Sequence, residues 1–104
     1  MTLGELLESE AGEVSGVERG TGSDGAVTWS RTGRPFAVVS SAGTVAEFAL
    51  DPAVAAAAIR TPDTDPSARG PGWVRFAPVR LDDHAADRAT AWFASAYRRL
   101  GPTN

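Results

Sequence analysis

The chain has 104 residues, a net charge of −3 and no cysteine, and all ten of its basic residues are arginine. This inventory excludes Schiff-base lysines, thiolate nucleophiles, disulfides and cysteine-based metal sites. The length fits one domain, residues 1–104, with a modest core, and no apolar run approaches the ~20 residues of a membrane span. No basic segment precedes the first leucines, so we expect no signal peptide and a cytoplasmic location.

The N-terminal segment has the pattern of a helix. Thr2 followed by Glu5 fits a capping box, and leucines at positions 3, 6 and 7 share one face, which predicts a helix over about 2–11. Residues 14–19 fit a short first strand.

Three short alternating segments follow, at 26–31, 35–41 and 44–50, joined by glycine-containing turns. Alternation places Val27 and Trp29 on one face of their strand, and Phe36 and Val38 together on one face of the next. Tight glycine turns between such segments predict an antiparallel meander.

The strand alternation of apolar residues ends at Asp51-Pro52. Aspartate at an N-cap followed by proline at the first helical position is a strong helix start, which predicts a helix over 52–59. Residues 61–72 read as a loop, 73–79 as a strand and 82–100 as a long amphipathic helix. The predicted fold is α+β, a two-layer sandwich with an antiparallel sheet of four to five strands. The N- and C-terminal helices should pack on one face, in the order α-β-β-β-β-α-β-α.

Three motifs have both a chemical and a structural interpretation. Residues 20–27 spell G-x-G-x-x-G-x-V, which fits a phosphate loop or a hairpin turn. His84, directly after two aspartates, fits a metal or base site or an exposed helix start. Asp63 and Asp65 fit a cation loop or a turn. The structural interpretation is favoured for all three, so we expect no catalytic residue, no metal site and no cofactor.

The candidate binding residues are arginines and tryptophans. Arginine with aromatic residues at alternate strand positions suits phosphate contact and base stacking. The same pattern suits arginine stems that cover tryptophan rings on the outside of a sheet. The residues concerned are Trp29, Arg31, Arg34, Arg69, Trp73 and Arg75.

From residue 29 onward the order of features resembles the MmcQ/YjbR family of small bacterial domains. The matching stretches are WSRTGRPFAVVS (29–40), FALDPAVAAAAI (48–59), GWVRF (72–76) and WFASAYRRL (92–100). The resemblance implies a frataxin-like α/β sandwich. Its members are often described as DNA-binding proteins, and it implies no catalytic residues. The lysines usual before the Asp-Pro step are replaced here by Ala46-Glu47-Phe48, and the family's Ser-Tyr pair is spread to Ser95 and Tyr97.

The sequence therefore predicts a non-catalytic binding or protein-interaction module. Its partner would be a protein or a small ligand, and the protein itself a monomer or weak homodimer with no membrane contact. Two alternatives remain open. One is a DNA-binding protein, which the negative net charge disfavours because affinity for phosphates comes largely from cationic side chains. The other is a small-molecule or enzymatic domain that uses His84 and nearby carboxylates.

Overall fold

The computed structural model describes residues 1–101. Its elements, in chain order, are α1 (Leu3–Gly12), β1 (Val17–Thr21), β2 (Val27–Arg31), β3 (Arg34–Val39), β4 (Ala46–Ala49), α2 (Pro52–Ala58), β5 (Thr64–Pro66), β6 (Trp73–Phe76) and α3 (Asp83–Arg99). The strands form one sheet in the order β1-β2-β3-β4-β6-β5, and every neighbouring pair is antiparallel. The α+β class is confirmed, with six strands rather than four to five.

Local sequence signals explain where the two long helices begin. The Thr2 hydroxyl accepts from the Glu5 N–H at 3.1 Å and the Glu5 carboxylate accepts from the Thr2 N–H at 2.7 Å, so the capping box forms. The bond from the Thr2 N–H lowers the pKa of Glu5. At α3, the Asp82 carboxylate accepts from the Ala85 N–H at 2.8 Å, and two arginines occupy the last turn.

The helices cover one face of the sheet. A single apolar core joins α1, α2 and α3 to strand residues of that face, including Trp29, Phe48 and Phe76. Trp92 of α3 is 8% exposed and lies edge-on to the Phe76 ring, with centroids 5.2 Å apart, so it forms part of this core. Within residues 1–101, no helix packs on the other face, and none is long and apolar enough to cross a membrane.

A β-bulge in β3 corrects one predicted facing. The pairing of β2 with β3 shifts between Trp29 and Ser30, which leaves Phe36 as an extra residue. Phe36 therefore joins Ala37 on the helix side, where its ring contacts that of Phe93 at 5.2 Å. Val38 faces the other way and lies outside the core cluster. Simple alternation had placed Phe36 and Val38 together, which is wrong because a bulge adds one residue to the period.

The predicted loop over 61–72 contains the edge strand β5, which the sequence did not reveal. Thr64–Pro66 pairs with β6, with Thr64 opposite Phe76 and Pro66 opposite Val74. Aspartate and proline are poor strand formers, so β5 exists because β6 offers a free edge for pairing. In turn β6 ends at Phe76, before Pro78, and is shorter than the predicted 73–79.

Candidate binding site: an arginine and tryptophan groove

Trp29 does not belong to any binding surface. Its side chain is 0% exposed and lies edge-to-face against Phe93, with ring centroids 5.7 Å apart. Its Nε1–H has no hydrogen-bond partner among the described residues. The candidate role of Trp29 is therefore corrected: the residue fills the core on the helix side of β2.

Arg31 is also engaged in the fold. Its Nη1 donates to the Tyr97 carbonyl oxygen at 2.9 Å, and its guanidinium carbon lies 3.9 Å from the centroid of the Tyr97 ring. A cation at the C-terminal end of α3 compensates the helix dipole. The contacts indicate that Arg31 fastens β2 to α3, a structural role rather than a ligand contact.

Two other candidates, Arg34 and Trp73, meet with Arg99 at one end of the sheet. They line a groove of about 350 Å³ that is open to solvent. We call it the Arg–Trp groove, and its lining residues are Gly33, Arg34, Pro35, Ala49, Pro71, Trp73, Arg99 and Leu100. Three strands and the last helix contribute to it because β3 starts, β4 ends, β6 starts and α3 ends at the same place.

A tight hairpin turn places Arg34 at the groove. Arg31 pairs directly with Arg34, so only Thr32 and Gly33 form the turn, with φ of 51° and 77°. Positive φ at both central residues is the signature of a type I′ turn, whose twist matches that of the strands. Thr32 is strained there, because a β-branched side chain disfavours positive φ.

Gly72 places Trp73. The Leu50 N–H donates to the Gly72 carbonyl at 2.9 Å, which holds the start of β6 against the end of β4. Gly72 has φ of 81°, and a Cβ there would lie 2.7 Å from the Leu50 carbonyl oxygen. Only glycine satisfies both conditions. The result is that Trp73, half-buried, borders the groove beside Ala49.

The groove carries more positive than negative charge. Arg34 is exposed and makes no ion pair with any residue in 1–101. Arg99 Nε lies 3.7 Å from Asp51 Oδ1, a long and solvent-exposed contact. Asp51 is the N-cap residue of α2, yet its side chain makes no capping hydrogen bond. One carboxylate thus partly offsets two guanidinium groups.

The last two candidates, Arg69 and Arg75, do not line the Arg–Trp groove. Arg69 Nε donates to Glu47 Oε1 at 2.9 Å, and its guanidinium carbon is 5.7 Å from the Trp73 ring centroid. Glu47 also accepts from the Ser67 hydroxyl. Arg75 lies on the uncovered face, directly between Glu47 and Asp65 in the sheet register. These arginines alternate with carboxylates instead of forming a basic surface.

The remaining motifs have the following positions. Gly22 N–H donates to the Ala26 carbonyl at 2.8 Å, so the glycine-rich segment closes a hairpin. His84 is exposed and borders a separate groove of about 580 Å³ that also contains three aspartates and Arg88. Across residues 1–101, no three histidine or acidic side chains are grouped so as to hold a metal ion.

The candidate residues drawn from the sequence did not include Arg99, the second arginine of the groove. Arg99 lies in the last turn of α3, where a cation also suits the helix dipole. Its position beside Arg34 depends on where α3 ends relative to β3, which a local pattern does not encode.

Comparison with known proteins adds no family to this description. No protein-family model matches the chain, and no curated protein is significantly similar to it.

Proposed function

We propose that this chain is a non-catalytic binding module and that the Arg–Trp groove is where an anionic ligand binds. The observation that carries the proposal is the convergence of Arg34, Arg99 and Trp73 from three separate elements on one groove. Guanidinium groups bind carboxylates and phosphates through paired N–H donors.

Asp51 supports the same interpretation. The Asp51 carboxylate makes a weak contact with Arg99, and so acts as an internal stand-in for the anionic group of the ligand. Because the contact is long and exposed, it contributes little free energy, and an anion that binds Arg99 with better geometry can replace it. Replacing Asp51 by asparagine should therefore tighten anion binding, since asparagine is nearly the same size, is also accepted at an N-cap position and removes the competing charge.

The resemblance to the MmcQ/YjbR family is part of this proposal. It is supported by the order of the helices and strands and by the Asp51-Pro52 helix start after β4. The family's description as DNA-binding is a second candidate, which the pairing of Arg69 with Glu47 and of Arg19 with Glu8 disfavours. A catalytic role for His84 is disfavoured by its exposure at the start of α3, away from the groove.

The test is an amide NMR titration with inorganic phosphate at constant ionic strength. We expect saturable shifts at Gly33, Arg34 and the Trp73 indole N–H. The Arg34→Gln, Arg99→Gln double variant should lose them.

Two controls decide the outcome. Arg60→Gln, Arg80→Gln removes two exposed arginines that do not line the groove, and His84→Ala removes the histidine of the other groove. Both should bind phosphate as the wild type does. Shifts spread over all the arginines, or equal loss in the control, would contradict the proposal. Weaker phosphate binding by Asp51→Asn would contradict the stand-in role of Asp51.

A further inference from the structure

The Arg–Trp groove has an apolar side as well as a charged one. Pro35, Ala49, Pro71 and Leu100 line it together with Trp73. Of the three tryptophans in the chain, Trp29 and Trp92 are buried in the core, and Trp73 alone is partly exposed. Trp73 therefore adds an indole to the groove that holds the guanidinium groups of Arg34 and Arg99, while the Arg69 guanidinium carbon lies 5.7 Å from the centroid of the indole ring.

We infer that the ligand of the groove is a small molecule that joins an aromatic ring to a phosphate group. This inference rests on the proposed function. Two guanidinium groups against one weakly held carboxylate favour a dianion over a monoanion. An indole that borders the same groove favours a planar ring, which stacks on aromatic side chains with little dependence on its identity.

The volume of the groove limits the size of the ligand. Its volume of about 350 Å³ is at the small end of the range for small-molecule sites, roughly 300–1,000 Å³. One ring system and one phosphate fill such a space. Nucleoside monophosphates and phosphorylated tyrosine both have this chemistry, and the shared feature is the aryl or heteroaryl group beside the dianion.

The experiment compares three simple probes, phenyl phosphate, methyl phosphate and benzoate, by NMR titration of the full chain. We expect phenyl phosphate to bind about tenfold more tightly than methyl phosphate, the order of one stacked ring. Benzoate, which has the ring but a single charge, should bind more weakly than phenyl phosphate. Adenosine 5′-monophosphate and N-acetyl-phosphotyrosine amide then represent nucleotides and phosphorylated tyrosine. The probe that binds more tightly identifies which of these two kinds of aromatic phosphate the groove prefers.

Trp73→Leu provides the matched variant, because leucine keeps an apolar side chain and removes the ring. We expect it to bind methyl phosphate as the wild type does and to lose the preference for phenyl phosphate. An amide spectrum with wild-type dispersion shows that the variant is folded. If unfolding obscures the result, Trp73→Phe, which keeps a ring, should retain the preference.

The two proposals fail in different ways. If methyl phosphate, phenyl phosphate and benzoate all leave the groove unperturbed, the anion-binding function itself is wrong. If the two phosphates bind equally at Arg34 and Arg99, or benzoate binds as tightly as phenyl phosphate, the groove binds anions but the aromatic phosphate inference is wrong.

Discussion

Trp29 and Trp73 occupy two contrasting regions of the same sheet. Trp29 pairs with Ala37, Ala37 with Phe48 and Phe48 with Val74, so these four residues share the helix-covered face. Trp73 precedes Val74 by one position and therefore points to the opposite face, because side chains alternate along a strand. Both tryptophans have arginines nearby in sequence, yet one fills the core and the other borders an open groove.

The comparison shows what decides the role of an aromatic residue in a sheet. Within each strand, the facing of Trp29 and of Trp73 follows from alternation. Whether two residues on different strands share a face depends on the register between the strands. Register is fixed by long-range pairing, which here places Trp29 and Trp73 on opposite faces of the sheet.

The largest expected effect comes from removing a core tryptophan. Trp92→Ala should cost about 3–5 kcal/mol of unfolding free energy, since the side chain is almost fully buried against Phe48 and Phe76. Trp73→Ala should cost about 1 kcal/mol, because only part of its ring is removed from water on folding. Thermal or urea unfolding of both variants measures the contrast. Equal losses would show that the two regions do not differ as described.

The next effect concerns the backbone that holds the groove together. Gly72→Ala should destabilise the protein by about 1–3 kcal/mol, because a Cβ meets the Leu50 carbonyl oxygen at 2.7 Å in a left-handed conformation. It should also reduce the preference for phenyl phosphate over methyl phosphate, since Trp73 must shift. Gly33→Ala is the control: its φ is also positive but nothing lies within 4 Å, so a cost of about 1 kcal/mol is expected. A smaller loss for Gly72→Ala than for Gly33→Ala would show that β6 is not held as described.

Much of the fold was predictable because its signals are local. The capping residues Thr2 and Asp82, the Asp51-Pro52 start and the apolar stripe of α3 each specify an element within a few residues. The edge strand β5 was not predictable, because Thr64–Pro66 forms a strand only through pairing with β6. Of the binding residues, Arg34 and Trp73 were among the candidates, whereas Arg99 joins them only through tertiary packing.

A smaller effect is expected at the turn that presents Arg34. Thr32 holds a φ of 51°, which costs a β-branched residue about 1–2 kcal/mol. Thr32→Asn should stabilise the protein by about 0.5–1 kcal/mol, since asparagine is favoured in type I′ turns. The gain is less than the full strain because the bond from the Thr32 hydroxyl to the Arg31 carbonyl is lost. A higher urea midpoint at unchanged m-value is the expected result. Thr32→Val keeps the branch and should give no gain; a gain with valine would contradict the strain argument.

The smallest expected effect is on duplex DNA, where we predict binding that is weak or absent at about 0.15 M salt. Non-specific affinity requires several cations along one surface that together release counterions from phosphates. Here Arg19 and Arg69 are paired with glutamates at 2.7 and 2.9 Å, and Arg31 is bonded to Tyr97. The arginines of the groove suit one phosphate rather than a row of them. An anisotropy titration with mixed-sequence DNA should give a dissociation constant weaker than about 100 µM. Micromolar binding that is lost in Arg69→Ala, Arg75→Ala but retained in Arg34→Gln, Arg99→Gln would move the functional surface to the uncovered face of the sheet.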